Sequence, residues 1–586
     1  MTADFTMDGK QSLDADVTGP ALAEQVTKNP AAASKVEPQG PDAAMIAAQN
    51  RVLASGGKLT PQEKWKREEH PLDAYNKLKD QVSRNEFPTA PDNFRWRYYG
   101  LFYVAQKQNA YMCRLRIPNG ILDHWQMARL ADIADRFGGG YSHVTSRANL
   151  QIREIEAKDA IATIEAIQDC GLCSRGAGAD NIRNVTGSAT AGIDPKELID
   201  TRPYAREWHF KILNNRALYG LPRKFNVAFD GAGSIPTLED TNDIGFQAVR
   251  VRGGSAVESG IWFRLTLGGI TGHKDFARDT GVIVKPGDAA SVAEAVVRVF
   301  IDHGDRSSRS RARLKYLIDA WGFDKFLEAI EDKLGAKLVR TPMDALDPQP
   351  AFDRLAHIGV HAQKQRGLCW IGVLLPLGKL TSAQMRGIAR IAREMGDGDI
   401  RLTVWQNLLI SGVPEAKTAE VEVAIEAIGL RTRATAIRAG LVTCTGSTGC
   451  RFAATDTKEH AEAIAAWTET RVIMDTPINI HITGCRNSCA QHYIGDIGLV
   501  GVRVALSDEG DTVEAYHLFA GGAFGPDACI GREIVKNVIP KDLPRVIEQL
   551  LRHYLANREN ASETFAAFTR RADLALLQAA ARIDMD

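Results

Sequence analysis

PNGILDHWQMARLADIADRFGGGYSHVTSRANLQI, residues 118–152, returns 258 positions later as PLGKLTSAQMRGIARIAREMGDGDIRLTVWQNLLI, residues 376–410, without a gap. More than a third of the positions are identical, among them Pro118/Pro376, Gly120/Gly378, Gln126/Gln384, Met127/Met385, Thr145/Thr403 and Asn149/Asn407. Each copy reads as strand, turn, amphipathic helix, Gly-containing C-cap, strand and a second helix bearing Ile-Glu-Ala-Ile, at 164–167 and 425–428. A unit of this shape leaves one sheet face uncovered, and two units pairing close it. The period is far too long for a solenoid, so the pattern implies a duplication with pseudo-twofold symmetry. The expected fold class is mixed α+β and α/β.

Downstream of the second copy lie four cysteines in two clusters: Cys444 and Cys450 in TCTGSTGCRFAATDTK, and Cys485 and Cys489 in HITGCRNSCAQHYIGDIGLVG. C-x5-C followed by C-x3-C supplies the four thiolates of a cubane iron-sulfur cluster, and the small residues around them let backbone amides approach sulfur. A structural zinc site also uses four cysteines, usually as tighter C-x2-4-C knuckles, and spacing alone leaves it open.

TGSTGC followed by TGCRNSCAQ resembles the double-cysteine signature of the siroheme-dependent nitrite and sulfite reductases, and the similarity extends over most of residues 60–586. The resemblance implies that Cys444, Cys450, Cys485 and Cys489 hold a 4Fe-4S cluster and that Cys489 also bridges to the siroheme iron. It implies two ferredoxin-like half-domains joined into one sheet, and two larger α/β domains enclosing the cofactors. Siroheme carries eight carboxylates, which Arg meets well with its planar fork. In HVTSRANLQIR, Arg147, Gln151 and Arg153 read as alternate residues of one strand face. By resemblance these three, with Arg223 and Gln406, bind siroheme. The family also places Arg114 in YMCRLRIPNG, Arg183 in DNIRNVTG, and Lys224 and Asn226 in LPRKFNVAF above the open iron face, where a small oxyanion is reduced. Taken singly, each would read as a solvated surface charge. Sulfite reductases of the family tend to carry a second lysine where this chain has Asn226, so the neutral residue points to nitrite, reduced to ammonium, over sulfite, reduced to sulfide. No flavin or nicotinamide motif is present, so electrons are expected from a separate carrier, by resemblance ferredoxin. The competing class is a non-catalytic module with a structural four-cysteine metal site.

Composition agrees with a large enzyme: 586 residues, a quarter of them charged, with 72 basic and 72 acidic side chains balancing to zero. That balance points to neither nucleic acid nor an anionic membrane, and no apolar run is long enough to span a bilayer. Nine cysteines and no secretory start give the cytoplasm as the expected compartment. The expected organisation is a flexible extension over 1–60 with a short helix near 42–54, half-domains over 61–170 and 356–435, and α/β domains over 171–355 and 436–586. FRWRYYGLFYVAQ, 94–106, reads as extended and aromatic-rich. Cys170 and Cys173 form C-x2-C where a repeat helix ends at Gly171-Leu172, matching Gly429-Leu430, and read as structural; Cys113, Cys369 and Cys529 read as core thiols. No cofactor contact is assigned to His143. GGIT (268–271) and GGAFG (521–525) read as glycine loops approaching the macrocycle.

Overall fold

In the computed structural model, which describes residues 39–104, 109–253, 257–505 and 510–582, the two copies fold alike and exchange a strand. Ile121–Asp123 leaves its own half to pair with Asp399–Leu402, and Lys379–Thr381 makes the reciprocal crossing to Tyr141–Val144. The resemblance implies one joined sheet; the halves instead form two five-stranded sheets that interlock, each with four strands of its own half and one of the other.

The residues shared by the copies are those that build this crossover. Gly120 and Gly378 adopt φ of 72° and 76°, and a Cβ on either would lie 2.9 Å from Leu402 O or 2.7 Å from Val144 O, equivalent atoms of the opposite half. Only glycine satisfies both the left-handed backbone and the close approach. Gln126 and Gln384 each accept from the N–H of the residue capping their helix, Asp123 and Thr381, both at 3.0 Å. The same amides donate to Cys170 O at 2.9 Å and Ile428 O at 3.5 Å, where the second helix of each unit ends. Beyond those ends Gly171 and Gly429 are left-handed, so the C-x2-C pair lies in a helix C-cap. The single strand expected between the two helices is a hairpin in both copies, Tyr141–Val144 with Leu150–Ile155 and Asp399–Leu402 with Leu408–Pro414. It closes where Thr145 N–H donates to Asn149 O (2.8 Å) and Thr403 N–H to Asn407 O (2.9 Å).

The larger units repeat a second pattern. Thr186–Gly187, Val227–Asp230 and Ile244–Val251 run parallel, then Gly260–Leu267 and Arg278–Val284 continue antiparallel. Leu441–Thr443, Ile480–Thr483, Ile497–Ala505, Thr512–Ala520 and Arg532–Val538 reproduce that order. The helix Ala289–His303 is buried nearly all round because the helices Ala43–Ala54, Arg202–Asn214 and Phe323–Leu334 pack on it.

Two expectations near the N-terminus are corrected. Residues 1–38 lie outside the described residues, but Ala43–Ala54 belongs to the body: Met45 and Ala48 are buried, and the helix packs on Ala289–His303. Phe94–Tyr99 is helical, not extended, as the end of Ala90–Trp96 and a 3-10 turn closed by Gly100 at φ 83°. Trp96 and Tyr98 are fully buried there, so the aromatic run serves a core helix and the strand begins only at Leu101. Among the described residues no helix is long and apolar enough to cross a membrane.

Candidate functional site

All thirteen residues singled out from the sequence line one cavity of about 520 Å³. Arg114 ends the strand Ala110–Arg114, and Gln151 and Arg153 share a face of Leu150–Ile155. Arg147 is not on that strand. It lies in the turn after Tyr141–Val144, where the backbone reverses to make the hairpin, and reaches the cavity from its tip. Arg183, Arg223, Lys224 and Asn226 come from segments that precede strands of the first α/β unit, whereas Cys444 and Cys485 follow Leu441–Thr443 and Ile480–Thr483 of the second. The related units therefore face the cavity with opposite strand ends.

The cavity carries far more positive than negative charge. Arg97, Arg309, Arg313, Arg451, Lys458 and Arg486 also line it. The Nε atoms of Arg97, Arg114, Arg183 and Arg223 are buried with no hydrogen-bond partner among the described residues. A buried charged donor left unpaired is costly, so four converging on one space call for an anionic acceptor there. Burial, reinforced by neighbouring cations, pulls Arg97, Arg147 and Arg223 down to about 10. It pulls Arg183 and Lys224 well below their usual values, with Arg114 and Arg313 respectively adding to the effect. The Arg183 guanidinium is aimed by its own loop, donating to Ala177 O at 2.8 Å and Ala179 O at 2.6 Å, and Arg114 rests on the Phe102 ring at 4.7 Å. Asn226 is 2 % exposed, and its N–H donates to Asp243 at 2.9 Å, a carboxylate that Arg313 holds at 2.7 Å.

The thiols sit on tightly shaped loops. Gly484 N–H donates to Cys444 Sγ at 3.2 Å, and a Cβ on Gly484 would meet Ala453 Cβ at 2.7 Å. Cys489 lies between Ser488 and Gln491, both at positive φ; its carbonyl accepts from Ser146 Oγ at 3.0 Å, and Gln491 donates to Thr241 at 3.1 Å. These bonds tie the cysteine loop to the first half and the first α/β unit. Burial, with Cys489 adding, pushes the Cys444 thiol up to about 11 against the Gly484 N–H. A thiolate there needs the compensation that a bound metal group supplies. Among the described residues no three His, Cys, Asp or Glu side chains are set closely enough to chelate a single metal ion. All four thiols line the same cavity, the donor set of a cluster with one thiolate per corner.

Two of the expected cofactor residues, Gln406 and Arg153, line the cavity and also bond to the thiol loops. Gln406 uses its whole amide on Thr443, donating to its O at 2.8 Å and accepting from its N–H at 2.9 Å. Arg153 donates to Gln151 Oε1 at 3.1 Å and to Gly449 O at 2.6 Å, directly before Cys450. Both therefore hold the cysteine-bearing loops. Of the glycine loops, GGIT reaches the cavity through Ile270, Thr271 and the following Gly272, but GGAFG does not; Gly521 abuts Thr569 and Gly525 abuts Phe352, so its glycines serve packing. His143, buried and neutral, lines the cavity too. Of the extra cations, Arg451, Lys458 and Arg486 stand inside the quoted cysteine motifs, where attention fell on the thiols, whereas Arg97, Arg309 and Arg313 stand outside any cysteine or repeat motif. For Arg309 and Arg313 a visible signal is RSSRSRARLK, 306–315, whose arginines recur every two or three residues.

Comparison with known proteins matches the model "nitrite and sulphite reductase 4Fe-4S domain" twice, at 178–338 and 436–575, and the "nitrite/sulfite reductase ferredoxin-like half domain" twice, at 104–170 and 361–428. The chain belongs to the nitrite and sulphite reductase family. Among members of that family it is 34% identical to the ferredoxin--nitrite reductase of Synechococcus elongatus over 78% of this chain and 88% of that one. It is 33% identical to the chloroplastic ferredoxin--nitrite reductase of Zea mays over 84% and 89% of the two chains. The Mycobacterium tuberculosis NirA structure superposes with a TM-score of 0.82 at 28% identity, covering 90% of this chain and 99% of that one. Each family model matching twice is the duplication seen in the repeat. As an oxidoreductase of this family the chain carries siroheme and a 4Fe-4S cluster, and the reading as a non-catalytic metal module falls.

Proposed function

We propose that this chain is an assimilatory nitrite reductase that takes electrons one at a time from reduced ferredoxin and converts nitrite to ammonium, with consumption of six electrons and eight protons and release of two waters. The observation that carries the reading is the convergence of four thiols and four unpartnered guanidinium nitrogens on one cavity. Cys444, Cys450, Cys485 and Cys489 would hold the cluster, and Cys489 would be the thiolate that couples it to siroheme. Arg147 and Arg223, joined by Arg97, meet siroheme carboxylates; Gln151 lines the same wall, while Arg153 and Gln406 hold the thiol loops. When bound, siroheme would supply an iron site for the oxyanion, and the cluster would relay to it the electrons that ferredoxin delivers.

The chain's own residues supply binding and protons. Arg114 and Arg183 hold anion oxygens without releasing protons, because a guanidinium stays charged. Lys224, buried among arginines, is held well below its ordinary value and so gives a proton from Nζ readily; an anion beside it favours the reprotonated form. Nine cysteines, four of them assigned to the cluster and none in a disulfide among the described residues, support a reducing, cytoplasmic location. The test is steady-state turnover of nitrite and of sulfite with one reduced ferredoxin. Higher kcat/KM for nitrite is expected, and higher kcat/KM for sulfite defeats the substrate assignment.

A further inference from the structure

Two cavity-facing segments are gripped by a charge network of which Arg309 lines the cavity, while Lys66, Glu63, Asp180 and Arg306 lie behind it. Gly220, Leu221 and Pro222 lead directly into Arg223 and Lys224, and each of their carbonyls accepts from a different cation: Arg306 at 2.8 Å, Lys66 at 2.8 Å and Arg309 at 3.2 Å. The second segment carries Arg183. Its Asp180, fully buried, accepts from both Nη atoms of Arg309 at 2.6 and 2.9 Å and lies 3.7 Å from Lys66 Nζ. Lys66 is paired in turn with Glu63, which accepts from Arg306 at 2.7 Å and from Gln49 at 2.9 Å.

Lys66 and Glu63 stand on the short helix Pro61–Glu68, outside the repeat and the cysteine unit, and Lys66 does not line the cavity. Burying such charges is a poor route to stability, since apolar side chains of equal volume do as well. What the network does fix is geometry: one ammonium touches both segments, so it sets the spacing of the groups they carry. Binding groups act well only when held close to their working positions.

We propose that Lys66 is a positioning residue for the anion site, fixing the Lys224 segment against the Arg183 segment from a helix that never reaches the substrate. The proposal rests on the assignment of Arg183 and Lys224 to the anion. The experiment uses holoenzyme of wild type, Lys66→Met, Lys66→Gln and Gln49→Leu. Nitrite and, in parallel, sulfite are titrated against the visible spectrum, with KM, kcat and cofactor content measured alongside. Lys66→Met is expected to weaken anion binding and raise KM about tenfold at wild-type cofactor content. Lys66→Gln, which keeps a donor for Leu221 O but no charge, should fall between, and Gln49→Leu should match wild type. Should Lys66→Met fail to accumulate, Lys66→Gln is read alone by the same criterion. Wild-type affinity in the loaded Lys66 variants, whatever their melting temperature, overturns the proposal and leaves the substrate reading standing. A wild-type enzyme that binds neither anion overturns the substrate reading and this inference with it.

Discussion

Replacing Asn226 by lysine tests what decides between the two anions. Asn226 and Lys224 are alternate residues of an extended segment, so their side chains share a face, and both line the cavity. Asn226→Lys would place two ammoniums roughly 7 Å apart, a repulsion of about 2.4 kcal/mol at an effective dielectric of about 20. That repulsion acts with either substrate and cancels in the selectivity ratio as long as both lysines keep their protons. The extra charge of sulfite over nitrite, held roughly 6 Å from the new ammonium, gains about 2.8 kcal/mol on the same scale. Retaining both protons is the difficulty. Burial and Arg313 already hold Lys224 well below its ordinary value, and position 226 is as deeply buried, so the new lysine is charged only part of the time. About half of the gain survives, giving roughly a tenfold shift of the kcat/KM ratio toward sulfite, or ~1.4 kcal/mol. The assay is kcat/KM for both anions, in wild type and variant, with one donor at one pH. An unmoved ratio shows that position 226 is not the selector and removes the electrostatic basis of the nitrite assignment.

Three further outcomes are expected. Cys489→Ser should abolish turnover and change the visible spectrum while Cys529→Ser, outside the cavity, leaves both as they are; a spectrally normal, active Cys489 variant defeats the bridging role. Arg114→Ala, which removes a guanidinium with a buried unpartnered Nε, should weaken nitrite binding by on the order of 1.5 to 3 kcal/mol with siroheme retained, and wild-type affinity by optical titration would withdraw its substrate role. Burial holds His209 and His357 near 3 against an ordinary 6.5, so the folded protein keeps them neutral while the unfolded chain takes up protons. Their contribution is complete above pH 6.5 and shrinks as pH falls toward 3, by about 3 kcal/mol each at pH 4. Urea midpoints should therefore decline steadily from pH 6.5 to 4, and a flat profile over that window refutes the assignment.

The crossover was legible because it is built from residues with no substitute. Gly120 and Gly378 need both positive φ and close approach, and Gln126 and Gln384 each make two bonds that only their length allows, so identity survived in both copies. The strand exchange itself was not legible: Ile121–Asp123 reads as a strand whichever sheet it joins, and partner choice is set by tertiary contact. The site followed the same division. The cysteines and the arginines in motifs all reached one cavity, but the destinations of Arg153 and Gln406 depend on where Gly449 and Thr443 fall, which no local pattern reports. Phe94–Tyr99 misled for another reason, since aromatic enrichment marks burial as much as strand, and here Thr89 caps a helix.

Symmetry of fold with asymmetry of use is the remaining physical point. Asn226 and Asp243, with Arg313 on the carboxylate, have counterparts in Asn479 and Asp496, where Asn479 N–H donates to Asp496 at 2.7 Å and Arg354 holds both side chains. The scaffold of the anion wall thus exists twice. What differs is the residue that faces it from the repeat. Arg147 corresponds, 258 positions on, to Trp405, which packs at 4.9 Å from Phe524 and stacks on His357 at 5.9 Å. In one copy a guanidinium leaves polar space that an anion must complete; in the other an indole packs against aromatic neighbours and borders a separate cavity of about 380 Å³. Aromatic packing supplies contacts that an open, like-charged wall cannot, and strain or unpaired charge at a functional wall has to be held by structure elsewhere. The aromatic copy is in place to hold it: Trp405 sits between the loop of Gln406, which pins Thr443 beside Cys444, and His481 on the strand that leads to Cys485, so the half that forgoes the anion wall steadies the thiols.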